Sequence, residues 1–449
     1  MNSYFGIGLG SLAAMTIAFA STSDSNAGDW TGGYVGFGIG VDAITGEGGA
    51  TAATGAVVEA DGVNGGDLGL SLRAGADYQF SSSFVAGLVG IYDWSNIETS
   101  GKFSNGSLNA SIDLARLDRS LTIAARGGFL LTPALLAYGL AGYSRVTFDD
   151  VTFSVPGASG RIELSSYDSV VFGGGFEYQV TSNWSLFGEY RRADLERRDL
   201  YAVASSVGAL SIWADPVMHW ARIGAAYRFG SNGEADNAKA PTNAANWNGF
   251  YGAAGIGLDA ATRDLDVQES GCALPTDCQT LELEGLGGGG FGATISAGYD
   301  HRFNSIVAGV FADFDWSDQD IALTASFRGQ RLSADLLGLD KSWTIGARLG
   351  ILAAEDVLVY GLLGYTHLTF DDASVSAAGR TISFDVPSFD GISFGAGFEK
   401  LLNANLSMRL EYRYVNLGEQ DSNNTPLGDM RVSFDPSLHM ARAMLGYRY

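Results

Sequence analysis

Apolar and polar residues alternate one by one along much of this chain. Leu68, Leu70, Leu72, Ala74, Ala76, Tyr78 and Phe80 interleave with Gly69, Ser71, Arg73, Gly75, Asp77 and Gln79. Further on, Leu406, Met408, Leu410, Tyr412 and Tyr414 interleave with Ser407, Arg409, Glu411 and Arg413. Side chains of a strand point to opposite faces in turn, so a period of two predicts strands with one greasy and one polar face. Eight such strands are expected near 30–42, 68–80, 83–95, 117–131, 135–148, 168–180, 184–195 and 219–229. Short connections at Ser81-Ser82, Thr132-Pro133 and Thr181-Ser182-Asn183 alternate with loops of roughly 20 residues or more.

The pattern occurs twice. Trp30-Thr31-Gly32-Gly33-Tyr34 returns as Trp247-Asn248-Gly249-Phe250-Tyr251, and Tyr138-Gly139-Leu140-Ala141-Gly142-Tyr143 as Tyr360-Gly361-Leu362-Leu363-Gly364-Tyr365. Glu189-Tyr190-Arg191 matches Glu411-Tyr412-Arg413, and Asp215-Pro216 with His219 matches Asp435-Pro436 with His439. The offset stays between about 217 and 223 residues, which predicts one unit in tandem: 28–230 and 246–449, joined by a Gly-, Asn- and Ala-rich linker at 231–245.

The composition of the faces suggests which one points inward. Arg73, Arg126, Glu177, Glu189, Arg191, Arg222 and Arg228 fall on the polar face of the first copy. Arg302, Arg348, Glu399, Arg409, Glu411, Arg413, Arg442 and Arg448 fall on that of the second. Tyr34, Tyr78, Phe80, Phe148, Tyr190 and Phe229 are expected on the greasy face. Charge inside, apolar outside and aromatic rims is the pattern of a barrel set in lipid. The fold class is therefore all-β: a transmembrane antiparallel up-and-down barrel, as two tandem eight-stranded barrels or one sixteen-stranded barrel. Eight strands enclose an interior that side chains fill, whereas about sixteen leave an aqueous channel. The long linker favours two barrels, as do the Trp-led start and aromatic end of each copy. So do the opposite charges on one face, which could neutralise each other in a filled core.

No run of about 18 apolar residues follows residue 27, so no membrane-spanning helix is expected. Residues 1–27 read as a secretory signal peptide, apolar or small over 4–20 and ending Ser25-Asn26-Ala27. Charged residues make up 17% of the chain, below the usual quarter of a soluble domain. The 27 basic against 50 acidic side chains, net -23, disfavour nucleic acid, which is bound through phosphate neutralisation.

The Trp-x-Gly-(Phe/Gly)-Tyr start resembles the alphaproteobacterial outer-membrane immunogenic protein family. So do Phe172-Gly173-Gly174-Gly175-Phe176-Glu177, Glu189-Tyr190-Arg191 and the closing His219…Arg222…Tyr227-Arg228-Phe229. That family consists of OmpA-like, porin-like β-barrels. The resemblance covers about 28–230 and 246–449, and it departs from the usual single barrel. It implies an outer-membrane location and assembly through a C-terminal aromatic signal, here Tyr447 and Tyr449. Outer-membrane lipid is the expected partner, with the barrel-assembly machinery and periplasmic chaperones during biogenesis.

Candidate chemistry is sparse, and no cofactor is expected. Cys272 and Cys278, the two cysteines, fall in the first long loop of the second copy and read as a small disulfide loop in an oxidising compartment. Asp149-Asp150 and Asp371-Asp372 read as solvated acids rather than a Ca²⁺ site, since no EF-hand spacing occurs. His219, His301, His367 and His439 lack a repeated nucleophile or metal motif, so structural roles are expected. Gly36-Phe37-Gly38 precedes no helix and is expected to pack inside a narrow barrel rather than hold phosphate. The leading functional expectation is a non-enzymatic structural and surface protein. The alternatives are a passive pore for small hydrophilic solutes, or adhesion through the loops.

Overall fold

The computed structural model describes residues 29–52, 57–61, 65–95, 97–104, 109–155, 158–163, 166–204, 208–229, 246–269, 280–319, 322–327, 330–335, 338–370, 373–377, 380–384, 388–418, 420–422 and 430–449. The segments expected to be a signal peptide (1–27) and a linker (231–245), Asp371-Asp372 and both cysteines lie outside the described residues.

Each half is a closed antiparallel barrel of eight strands. The first consists of β1 (Gly32–Ala52), β2 (Gly65–Gln79), β3 (Phe84–Ser95), β4 (Asn109–Thr132), β5 (Leu135–Phe148), β6 (Tyr167–Gln179), β7 (Trp184–Asp194) and β8 (Gly208–Arg228). The second consists of β9 (Gly249–Glu269), β10 (Thr280–Phe303), β11 (Ile306–Gln319), β12 (Leu339–Ala354), β13 (Val357–Phe370), β14 (Phe389–Leu401), β15 (Leu406–Asn416) and β16 (Met430–Arg448). Each strand pairs with the next. The first strand of each set closes on the last, with Tyr34 opposite Arg228 and Tyr251 opposite Arg448. A single sixteen-stranded barrel would instead need β8 against β9 and β1 against β16. The structure therefore selects two barrels, and closure satisfies every strand edge.

The short connections gather at one end of each barrel. Large apolar side chains cover the outside, among them Ile123, Val170, Leu349 and Leu363, all at least half exposed. Aromatic rows flank this belt. Tyr78, Phe80, Phe129, Trp184 and Phe229 sit near the turns, and Trp94 and Tyr143 near the loops. Two residues depart from the expected phase. Tyr34 points inward and is 2% exposed, and Phe148 is buried in a cluster with Leu117, Val146, Tyr167, Met218 and Trp220.

The strands also overshoot the sequence-based bounds at the loop end, and the long loops contain strands of their own. Val57–Asp61 pairs with β1 and with Ala322–Phe327 of the other half. Glu98–Ser104 pairs with the start of β10. The outer parts of the two halves thus share ladders, while their barrels stay separate.

Candidate functional site

Inside each barrel, polar side chains form stacked layers. Nearest the turns of the first, Arg126 donates to both oxygens of Asp77, at 2.8 and 2.6 Å, and to Glu177 at 2.9 Å. Arg228 donates to the same two acids at 2.8 and 2.9 Å, and Ser185 donates to Glu177 at 2.6 Å. Tyr34 lies beneath both guanidinium groups, with its ring centre 4.8 Å from Arg126 and 5.0 Å from Arg228. Trp30 closes the end, its indole nitrogen donating to the Pro133 carbonyl at 3.1 Å and its ring 4.5 Å from Arg228.

In the next layer Arg73 forms a two-point pair with Glu189 at 3.1 and 2.8 Å, and the Tyr138 hydroxyl donates to the same carboxylate at 2.8 Å. Above it, Arg191 grips Asp93 through two bonds at 3.1 and 2.7 Å, and Arg222 sits 2.5 Å from Asp42. Two-point Arg–carboxylate pairs are the strong, directional kind. Beyond this level the interior turns apolar around Met218 and Trp220.

The second barrel repeats this order. Arg348 bridges Asp300 and Glu399, Arg448 joins both, and Trp247 caps the end by donating to the Glu355 carbonyl at 2.9 Å. Tyr360 donates to Glu411 at 2.7 Å, and Arg413 donates to Glu411 and Asp313. Arg442 pairs with Asp259 and lies 3.5 Å from Asp315. Arg409 donates to Glu399 at 3.2 Å.

All the arginines and glutamates expected on the polar faces are buried in these lumens except Arg302. That side chain sits at the turn end, on Glu355 at 3.0 Å. Sequence reasoning set Asp77 on the polar face without giving it a role, and missed the rest of the aspartate half of the networks: Asp42, Asp93, Asp259, Asp300, Asp313 and Asp315. Their signal was the same two-residue phase as the arginines. Among the described residues, the first lumen buries five arginines and five acids, and the second five arginines and six acids. The described lumens thus carry net charges of 0 and -1, against -23 for the whole chain.

The histidines sit outside these networks. His219 Nδ1 is 2.8 Å from the Tyr190 hydroxyl, and Nε2 is 3.0 Å from Thr45. His439 repeats the tyrosine contact with Tyr412 at 2.8 Å. His301 stacks edge-on with Phe303, and His367 lies on Trp343 and bonds to Asp390. Asp150 pairs with Arg161, and Asp149 lies 3.8 Å from Arg116. Near the loop-side aromatic row, Arg145 donates to both oxygens of Asp168, at 2.7 and 3.1 Å. Tyr447 and Tyr449 lie edge to face on the outer surface, as Tyr227 and Phe229 do in the first barrel.

Two closed barrels with charged interiors and apolar, aromatic-rimmed exteriors define an integral outer-membrane β-barrel. The family model for the outer membrane protein beta-barrel domain matches residues 10–229 and again 237–448, so the chain belongs to that family and lies in the cell outer membrane. It is 30% identical over 169 residues to the 31 kDa outer-membrane immunogenic proteins of Brucella melitensis biotype 1 and Brucella suis biovar 1, spanning 36% of this chain and 67% of theirs. Among solved structures it is similar to Ail, the attachment invasion locus protein of Yersinia pestis, at 22% identity and a TM-score of 0.21, over 44% of this chain and 99% of that one. It is also similar to the toluene transporter TodX of P. putida, at 12% identity and a TM-score of 0.29, over 93% and 90%.

Proposed function

We propose that the chain is a non-enzymatic structural and surface protein of the outer membrane: two plugged barrels that anchor acidic outer loops. The observation that carries this reading is the turn-side layer of each lumen. Arg126, Arg228, Asp77 and Glu177 are no more than 5% exposed, as are Arg348, Arg448, Asp300 and Glu399. These groups are almost wholly shielded from solvent, and each is tied to at least two others. Opening a path would separate buried ion pairs, which costs several kcal/mol for each stranded charge. A passive pore does not fit such a layer. The acid excess lies outside the lumens, where it keeps the exposed surface soluble. Tyr447 and Tyr449, on the outer surface at the end of the closing strand, suit a role as the assembly signal read by the barrel-assembly machinery.

Conductance of the refolded protein in a planar lipid bilayer tests this. Silence, or rare small steps, from protein with heat-modifiable migration is the expected outcome. A large, stable single-channel step would overturn the plugged reading in favour of a porin.

A further inference from the structure

The two barrels touch along one side of their closing seams, and the contact is organised by the repeat. Val41, Ala43 and Ala221 of the first barrel form one buried cluster with Leu258, Ala260 and Ala441 of the second. Each residue of the first set is the repeat counterpart of one in the second. A Cβ on Gly66 would fall on Ala260, and one on Gly289 would come within 2.8 Å of Ala43; these two glycines are counterparts as well. Near the turns, Leu135, Tyr178, Val357 and Met408 form a second shared cluster, in which Leu135 and Val357 are counterparts. The outer strands cross over in the same sense. The first-loop strand Val57–Asp61 pairs with the second-loop strand Ala322–Phe327, and the second-loop strand Glu98–Ser104 pairs with the first-loop end of β10. This is the geometry of an isologous twofold dimer, folded from one chain.

The equivalence breaks at three places, each time into a complementary pair. Gly188 and Leu410 are counterparts, and the Leu410 side chain fills the space a Gly188 Cβ would need. Tyr178 and Lys400 are counterparts, and the Lys400 ammonium lies 4.4 Å from the centre of the Tyr178 ring. His439 Nε2 lies 3.2 Å from Asp67 of the first barrel, whereas its counterpart His219 meets the edge of Phe291 of the second. Pairing of the first barrel with itself would set Gly188 against Gly188 and leave a void. Pairing of the second with itself would bring Leu410 against Leu410 and Lys400 against Lys400.

We infer that the lipid-facing side of each closing seam is a docking surface selective for the other half of the same chain, holding the two barrels as a one-to-one unit without need of the linker. In lipid the hydrophobic effect does not drive such contacts, so close approach through small residues and shape must. Gly66, Gly289, Ala43, Ala260 and Gly188 supply that approach. Selectivity resides in the unlike pairs, which reject the self-paired arrangements.

The test uses the full chain with a protease site placed within 231–245 and a tag on the first half. The protein is folded in detergent and then cleaved. The second half is expected to stay with the tag. Gly188→Leu should lower the retained fraction several-fold, because the added side chain overpacks against Leu410. Gly188→Leu combined with Leu410→Gly should restore it. Gly289→Leu, on a different part of the seam, should also lower retention. Heat-modifiable migration of each fragment reports whether its barrel is folded, so that loss of retention reads the interface alone. Separation of the unsubstituted halves on cleavage would overturn the inference. So would full retention by both leucine variants, or failure of Leu410→Gly to rescue Gly188→Leu.

Discussion

At Gly69 a Cβ would fall on the Asp42 carboxylate and the Arg222 guanidinium, and at Gly292 it would fall on Asp259 and Arg442. At Gly75 it would come within 2.5 Å of the Tyr34 hydroxyl, and Gly298 stands in the same relation to Tyr251. Inward-facing glycines thus make the room that the arginine heads and the tyrosine rings occupy. An eight-stranded lumen is only wide enough for side chains to fill, so volume at one position must be surrendered at another. Gly69→Val should lower stability by about 1–3 kcal/mol, the usual cost of overpacking a full core. Gly90→Ala should be near neutral, since the nearest atom to its Cβ would be the Ala74 carbonyl oxygen at 3.8 Å. Urea unfolding of the two variants in the same detergent measures the difference, and equal midpoints would refute the volume argument.

At the scale of the strands, one exchange between the halves shows how the networks tolerate change. In the first barrel Arg73 on β2 lies over the ring of Phe187 on β7, 3.7 Å from its centre. Their counterparts in the second are Ser296 on β10 and Arg409 on β15. The positive charge has crossed the lumen, and the total of five arginines is unchanged. Phe187→Arg alone should therefore be destabilising, because it adds an unpaired buried cation. Phe187→Arg with Arg73→Ser should recover part of the loss. A double-mutant cycle in urea is expected to give a coupling of about 0.5–3 kcal/mol, and strict additivity would refute the exchange. This level was largely legible in the sequence: the period of two marked all eight strands of the first copy, and the arginines and glutamates marked their inner face. The two misplaced aromatics have physical causes. Around Tyr34 the chain reads Gly32, Gly33, Gly36, Gly38 and Gly40, so few large side chains remain to set the phase. At Phe148 the lumen itself has become apolar, and polarity no longer separates inside from outside. The loop strands were not legible because their pairing partners lie in the other half of the chain.

At the scale of the whole molecule, duplication gives two closed hydrogen-bond systems in one chain, each with its own end cap, ion network and apolar clusters. The choice of two barrels over one was anticipated by the linker and by opposite charges on one face, but strand pairing decided it, because the same strands could close either way. Closure has a thermodynamic consequence. Within the barrel walls, breaking one barrel removes no ladder bond from the other; the shared ladders lie in the outer segments, such as Glu98–Ser104 on the start of β10, so the barrels should unfold as separate units coupled only through the seam and those outer ladders. Arg126→Met leaves Asp77 and Glu177 of the first barrel sharing Arg228, one buried cation short, and Arg348→Met takes a cation from Asp300 and Glu399 of the second, which keep Arg448 and, on Glu399, Arg409. Removing one partner of a buried pair costs about 3–5 kcal/mol. Each substitution should therefore move the unfolding of its own barrel by about that amount and leave the other nearly in place. Heat-modifiable migration of the two fragments, released by cleavage within 231–245 after incubation at graded urea concentrations, resolves the halves. Movement of both fragments together by either substitution would mean that the seam couples the barrels into a single cooperative unit.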